Sequence, residues 1–264
     1  MLHFDTHAPT ATPDLPPLLI VHGLFGSARN WGAIARRLSD RRRIIAVDMR
    51  NHGGSFRDAD HSYAAMAADL AQVIDAQGTS MDVLGHSMGG KAAMHLALTH
   101  PGLVDRLIVA DIAPVAYGHD QTHHITAMQA LDLTGLTSRG EADRRLALTT
   151  PDPALRAFFL QSLDLKSETG PRWRLNLAVL AAGMAQIVGW PGTPGRFDHP
   201  TLFLTGADSS YVLPEHRAAI TAQFPAARFA RIPGAGHWLH AEKPREFAET
   251  VAVFLSAGRQ PAPF

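Results

Sequence analysis

The sequence predicts an α/β protein: a mostly parallel sheet covered on both faces by helices, with a helical insertion in the middle of the chain. Three observations predict it. Short apolar runs stop abruptly at glycine or polar residues, helical-period segments alternate with them, and the alternation lapses between Pro114 and Arg196, where only helical segments are found.

Taken in order, Leu18–Val21 is an all-apolar run after Pro16 and Pro17 that ends at His22-Gly23, as a strand buried on both faces does. Asn30–Leu38 has helical spacing, and Ile44–Val47 is the next strand, stopping at Asp48. Tyr63–Ala76 is an alanine-rich amphipathic helix with Met66, Leu70, Val73 and Ile74 on one side. Met81–Leu84 is a third strand, Gly89–Thr99 a helix closed by Pro101, and Leu107–Ala110 a strand ending at Asp111. Within the insertion, Leu146–Leu148, Phe158–Leu163 and Leu175–Ile187 are apolar. Alternation resumes with strand Thr201–Leu204, helix Pro214–Phe224, strand Arg228–Ile232 and helix Arg245–Leu255. The tail, Ser256–Phe264, is expected to fray. The chain thus divides into a core of residues 1–113 and 197–264 and an inserted helical subdomain of residues 114–196.

Composition bounds the function. A chain of 264 residues, 46% hydrophobic, can bury one sizeable core and carry an inserted subdomain. The 24 Lys and Arg residues balance the 24 Asp and Glu and are spread along the chain, so no basic face for nucleic acid or an anionic membrane is expected. Arg41, Arg42 and Arg43 are expected to solvate a helix-to-strand turn. The absence of cysteine removes disulfides, thiolate metal sites and a cysteine nucleophile together. Residues Met1–Pro17 hold histidines, prolines and Asp5 where a secretory leader has a basic end and an apolar stretch, which favours a cytoplasmic location. No apolar segment approaches the roughly 20 residues that span a bilayer. The 15 histidines raise the question of a metal. His123 and His124, however, are expected to point apart on a helix, and no H-E-x-x-H pattern occurs, so no metal site is expected.

In a parallel sheet the C-terminal strand ends form one rim, where ligands bind. His22-Gly23-Leu24-Phe25-Gly26 follows the first strand, Ser87 the third, Asp111 the fourth, Asp208 the fifth and His237 the sixth. Ser87 lies in Gly85-His86-Ser87-Met88-Gly89, a G-x-S-x-G pentapeptide between a strand and a helix. A serine on so tight a turn needs small neighbours two residues away, and Gly85 and Gly89 meet that need. Its hydroxyl needs a base to become a nucleophile, and the base needs an acid to fix its tautomer. His237 suits the first role; Asp111 and Asp208 are both placed for the second.

Five stretches carry a resemblance over nearly the whole chain: His22-Gly23-Leu24-Phe25-Gly26-Ser27, Asp48-Met49-Arg50-Asn51-His52-Gly53, Gly85-His86-Ser87-Met88-Gly89-Gly90-Lys91, Asp111-Ile112-Ala113-Pro114-Val115 and Gly234-Ala235-Gly236-His237-Trp238. In this order they resemble the α/β-hydrolase superfamily and, within it, the small-esterase branch typified by bacterial YbfF and its abhydrolase-domain relatives. The resemblance implies the α/β-hydrolase fold, with residues 114–196 forming a helical cap after the strand that ends at Asp111. It also implies Ser87 as nucleophile, His237 as general base and then acid, and no cofactor. The superfamily's usual acid position corresponds to Asp208, whereas the branch places its acid at Asp111, which is preferred. The backbone N–H groups of Leu24 and Met88 would form the oxyanion hole. The opening segment is short for this fold, so the sheet is expected to lack a strand there.

Phe25, Trp31, Met88, Tyr211, Val212 and Trp238 stand beside the catalytic loops and are expected to form an apolar acyl pocket, with Phe25, Tyr211 and Trp238 binding substrate. Phe158, Phe159, Leu163 and Trp190 either line an acyl pocket or pack the insertion. His22 is expected to order the oxyanion loop, His86 to shape the serine turn, and Lys91 to be structural. Arg50, Asn51 and His52 either brace the site floor or face solvent. The expected activity is hydrolysis of small-molecule carboxylic esters with short to medium acyl chains. The same constellation would also serve thioester, lactone or carbon-carbon bond hydrolysis or cofactor-free perhydrolysis, and a non-catalytic protein of this fold would use the pocket to bind a ligand.

Overall fold

The computed structural model describes residues 1–259. The described strands are β1 (Phe4–His7), β2 (Leu18–Val21), β3 (Ile44–Val47), β4 (Met81–His86), β5 (Val104–Ala110), β6 (Leu163–Asp164), β7 (Arg172–Trp173), β8 (Thr201–Gly206) and β9 (Ala227–Ile232). Seven make one sheet in the order β1-β3-β2-β4-β5-β8-β9. All its pairings are parallel except β1 with β3.

Side chains alternate across this sheet and feed two separate cores. Leu18, Ile20, Ile44, Ala46, Leu84, Ile108 and Ala110 enter one; Leu19, Val21, Ile45, Val47, Val83, Leu107 and Val109 enter the other. This is why β2 and β3 read as unbroken apolar runs. The helices α1 (Gly32–Leu38), α2 (Tyr63–Asp75) and α3 (Met88–Thr99) connect the early strands. In α2, the Ser62 side chain accepts the Ala65 N–H and caps the first turn. The segment between β5 and β8 holds α4 (Thr122–Ala130), α5 (Arg139–Leu146), α6 (Pro153–Leu160), α7 (Leu177–Ala182) and α8 (Met184–Val188), and α9 (Arg217–Gln223), α10 (Leu239–Glu242) and α11 (Pro244–Ser256) complete the chain.

Three expectations are corrected. The opening segment does supply a strand, β1, antiparallel at the sheet edge, with Phe4 opposite Val47 and His7 opposite Ile44. Phe-Asp-Thr-His has no apolar period, because main-chain pairing rather than burial holds this edge. The insertion also contains a two-stranded antiparallel ladder, β6 with β7, two residues on each side, too short to leave a periodic signal. Arg42 does not solvate a turn. It is buried, with its guanidinium 2.6 Å from the wholly buried Asp82 carboxylate, which also accepts two hydrogen bonds from Arg259. Residues 260–264, part of the tail expected to fray, lie outside the described residues.

The serine turn is packed against β2 without spare room. A Cβ at Gly89 would stand 2.5 Å from the Val21 carbonyl oxygen and closer still to that of His22. Val21 cannot retreat without breaking its pairings with Val47 and Gly85. Gly89→Ala is therefore expected to destabilise the fold by about 3 kcal/mol, read as a lower denaturant midpoint at unchanged slope; an unshifted midpoint would show that the turn has slack.

Candidate active site

β4 runs straight into α3, and the residue at the joint is Ser87, with φ 53° and ψ −121°. A non-glycine residue there is strained, and the strain lifts its hydroxyl clear of the sheet rim. The Ser87 N–H donates to the Ala110 carbonyl at 3.0 Å, which fastens the turn to the end of β5. Asp111, the residue that follows β5, is also held at positive φ, 52°. Its N–H donates to Leu204 O at 2.9 Å, so β8 fixes its backbone.

These strand ends bring three side chains into a line. His237 Nε2 lies 3.1 Å from Ser87 Oγ, and His237 Nδ1 lies 2.7 Å from Asp111 Oδ2. The Asp111 carboxylate is wholly buried and fully engaged: Gly206 N–H donates to Oδ1 at 3.2 Å and Ser209 Oγ donates to Oδ2 at 2.5 Å. A carboxylate only accepts, so Nδ1 of His237 carries the proton and Nε2 presents its lone pair to Ser87. Asp208 is exposed, and its contribution to the rim is a main-chain bond, its N–H donating to Ala235 O at 2.9 Å. His237 itself is set by His86, whose Nε2 donates to the His237 carbonyl at 2.9 Å, and by Tyr211, whose ring stacks on the imidazole at 3.8 Å and 16°. Burial holds His86 well below the ordinary histidine range, so it serves as a neutral donor.

A family model for the alpha/beta hydrolase fold matches residues 16–244. The chain belongs to the α/β-hydrolase fold family. Within the family it is 41% identical over 243 residues to Esterase YbfF of Escherichia coli (strain K12), spanning 91% of this chain and 93% of that protein. It is 40% identical over 253 residues to the sn-1-specific diacylglycerol lipase ABHD11 of Mus musculus, spanning 92% of this chain and 81% of that one. Among solved structures, a marine microorganism esterase aligns with a TM-score of 0.89 at 36% identity, covering 96% of this chain and 98% of the other. The resemblance to esterases of the YbfF branch, drawn from the five motifs, holds.

As in other ligand-binding α/β sheets, the cavity opens at the strand C-terminal ends. It measures about 440 Å³ and is lined by Ser87, His237, Leu24 and Met88, together with Phe25, Tyr211 and Trp238. Ile112, Leu155, Phe158, Phe159, Ile187 and Val188 supply an apolar wall, while Asn30, His119, Gln121, His123 and His124 supply a polar one. Of the other aromatic and apolar residues singled out in sequence, Trp31 also lines the cavity, whereas Leu163, Trp190 and Val212 do not. The rings of His123 and His124 lie 3.8 Å apart rather than diverging; both sit where α4 begins, and their side chains lean together over its first turn. Among the described residues no three His, Asp or Glu side chains gather to form a metal site. Nor is any helix there long and apolar enough to cross a membrane.

Lys91 is buried on α3, its ammonium donating to the Val188 and Gly189 carbonyls at 2.8 and 2.6 Å and lying 4.7 Å from the centre of the Tyr117 ring. Desolvation pulls it down to about 7. It ties the end of the insertion to α3, the helix that follows Ser87. Two residues of the site gave no signal in sequence. Ser209 became visible only through its bond to Asp111. Tyr117 takes the Ala113 N–H at 2.9 Å and donates to Tyr211 O at 2.7 Å, which holds Tyr211 over His237. A serine and a tyrosine in loops carry no periodicity that would mark them.

Proposed function

We propose that this ester-cleaving hydrolase cuts small-molecule carboxylic esters of short to medium acyl chain through an acyl-enzyme on Ser87. The single observation that carries this reading is the hydrogen-bonded series Ser87–His237–Asp111 at the floor of a cavity with one apolar wall. Ser87 Oγ attacks the ester carbonyl as its proton passes to His237 Nε2, and Asp111 stabilises the imidazolium through Nδ1–H. The oxyanion is taken by the backbone N–H groups of Leu24 and Met88; loss of one oxyanion donor costs about 3 kcal/mol in a serine hydrolase of unrelated fold. Among the described residues neither N–H has a protein acceptor, which supports this assignment. His237 then protonates the departing alcohol, and water repeats the sequence to free the acid. Phe25, Tyr211 and Trp238 contact the substrate. Residues 114–196 act as a cap over a core of 1–113 and 197–264, placing Phe158, Phe159 and Leu155 over the acyl chain.

The test is a panel of p-nitrophenyl esters from acetyl to palmitoyl, extended to acyl-CoA thioesters, lactones and, because a relative is named a diacylglycerol lipase, a diacylglycerol. A sharp kcat/KM optimum among the short to medium esters is expected, since each methylene beyond the cavity's reach gains no burial. A thioester or lactone preferred by an order of magnitude would replace the substrate class; no turnover and no fluorophosphonate labelling of Ser87 would leave a ligand-binding protein.

A further inference from the structure

Leu24 stands between Gly23 and Phe25, whose main chains are both hydrogen-bonded, that of Phe25 from outside the loop. Phe25 has φ 65°, a conformation that a bulky side chain keeps only when its surroundings impose it. Its N–H donates to His52 Nε2 at 3.3 Å, and its carbonyl accepts Ser162 Oγ at 3.1 Å. Neither partner is local: His52 lies in the loop after β3, and Ser162 in the insertion after α6.

The imidazole of His52 is set as an acceptor by its far side. Nδ1 lies 2.9 Å from the Arg50 carbonyl oxygen, which can only accept, so the ring proton is there and the Nε2 lone pair faces Phe25. Arg50 is in turn fixed by two bonds to Asp69, at 2.6 and 2.9 Å. Burial, with His22 and His61 close by, holds His52 well below the ordinary histidine range, which keeps that lone pair available. On the other side of Leu24, the Gly23 carbonyl accepts both the Gly26 N–H at 3.0 Å and His22 Nδ1–H at 2.8 Å, and His22 Nε2 accepts the Met49 N–H at 2.9 Å. Every neighbour of Leu24 is thus tied down.

We propose that His52 and Ser162 are positioning residues that grip Phe25 by its N–H and its carbonyl, hold it in the left-handed conformation, and thereby aim the Leu24 N–H at the oxyanion. This rests on the reading of Leu24 as an oxyanion donor. It gives the insertion a part in the chemistry beyond enclosing substrate, because one of the two grips comes from it. A donor displaced by even an ångström loses most of its value to the transition state while leaving ground-state binding intact.

The experiment compares Ser162→Ala, which removes the hydroxyl donor, and His52→Leu, which removes the acceptor, with Ser162→Thr and His52→Gln, which keep them. For each, kcat and KM for p-nitrophenyl butyrate, inhibition by an aliphatic trifluoromethyl ketone and the thermal midpoint are measured. The ketone reports the oxyanion hole directly, because its adduct with a serine carries the oxyanion. Expected for Ser162→Ala and His52→Leu is a kcat lowered about ten- to a hundred-fold, a KM within about two-fold, and a ketone affinity weakened by the same factor as kcat; Ser162→Thr and His52→Gln recover most of the loss. Unchanged kcat, or a loss that ketone affinity does not follow, overturns the proposal. If His52→Leu does not fold, Ser162→Ala decides alone. A wild-type enzyme that neither binds the ketone nor takes a fluorophosphonate label overturns the acyl-enzyme reading and this proposal with it; a labelled, inhibited wild type with unaffected variants overturns this proposal alone.

Discussion

Ser87→Ala is expected to lower kcat for every ester the wild type turns over by about 10⁶-fold, the scale seen when the nucleophile of a serine hydrolase is removed. The fold should not suffer. Alanine keeps the Cβ, the strained backbone is imposed by the bonds of Ser87 N–H to Ala110 O and of Lys91 N–H to Ser87 O, and the lost hydroxyl has His237 Nε2 as its partner. KM should stay within a few-fold, because the rest of the cavity lining is untouched. The loss is large because no other hydroxyl stands at hydrogen-bond distance from His237 Nε2 among the described residues. Turnover near the wild-type level, or a fluorophosphonate label on a different residue, would dispose of the acyl-enzyme on Ser87.

Asp111→Asn carries the second-largest expectation, a fall in kcat of about 10⁴-fold, against a change of less than about two-fold for Asp208→Asn, an ordinary surface substitution. Asparagine tolerates the positive φ at 111 at least as well as aspartate, so the backbone has no reason to move. What changes is the acceptor inventory. Asp111 accepts from Gly206 N–H, Ser209 Oγ and His237 Nδ1; an amide offers one oxygen for these three donors and turns its NH₂ toward one of them. His237 then adopts the tautomer with Nε2 protonated, and that nitrogen can no longer take the Ser87 proton. Asp208 is exposed and its side chain makes no hydrogen bond among the described residues. Steady-state kinetics on the two variants decide the assignment, and the reverse ranking would move the acid to residue 208.

The elements that were legible in the string are those whose signal is local. Pro16-Pro17 and His22-Gly23 bracket β2 to the residue, and the same holds for Ile44–Val47 before Asp48. Other boundaries moved outward by a few residues: β4 extends from Leu84 to His86, because parallel pairing continues past the apolar run into the residues that make the site, and β5 starts at Val104, at the opposite end of the sheet, where Val104 pairs with Met81. β1 escaped notice because an edge strand is held by main-chain bonds and needs no apolar face. Arg42 was misplaced for a related reason: a buried guanidinium is recognised by its carboxylate, and Asp82 lies 40 residues on.

By itself the sequence determined the alternation of strand and helix, the rim on which Ser87, Asp111, Asp208 and His237 fall, and the tight turn at Ser87, since hydrophobic period and turn chemistry act over a few residues. The tertiary structure alone decided which aspartate stands beside His237, 126 residues away, that Ser209 shares its carboxylate, and that the residue after Leu24 is gripped by His52 and by Ser162, 27 and 137 residues distant. These are contacts between strand ends and loops that meet because the parallel sheet stacks them side by side. A hydrogen bond across such a separation leaves no pattern in either partner's neighbourhood; it exists once packing has fixed both backbones, and the chemistry of the site is made of such bonds.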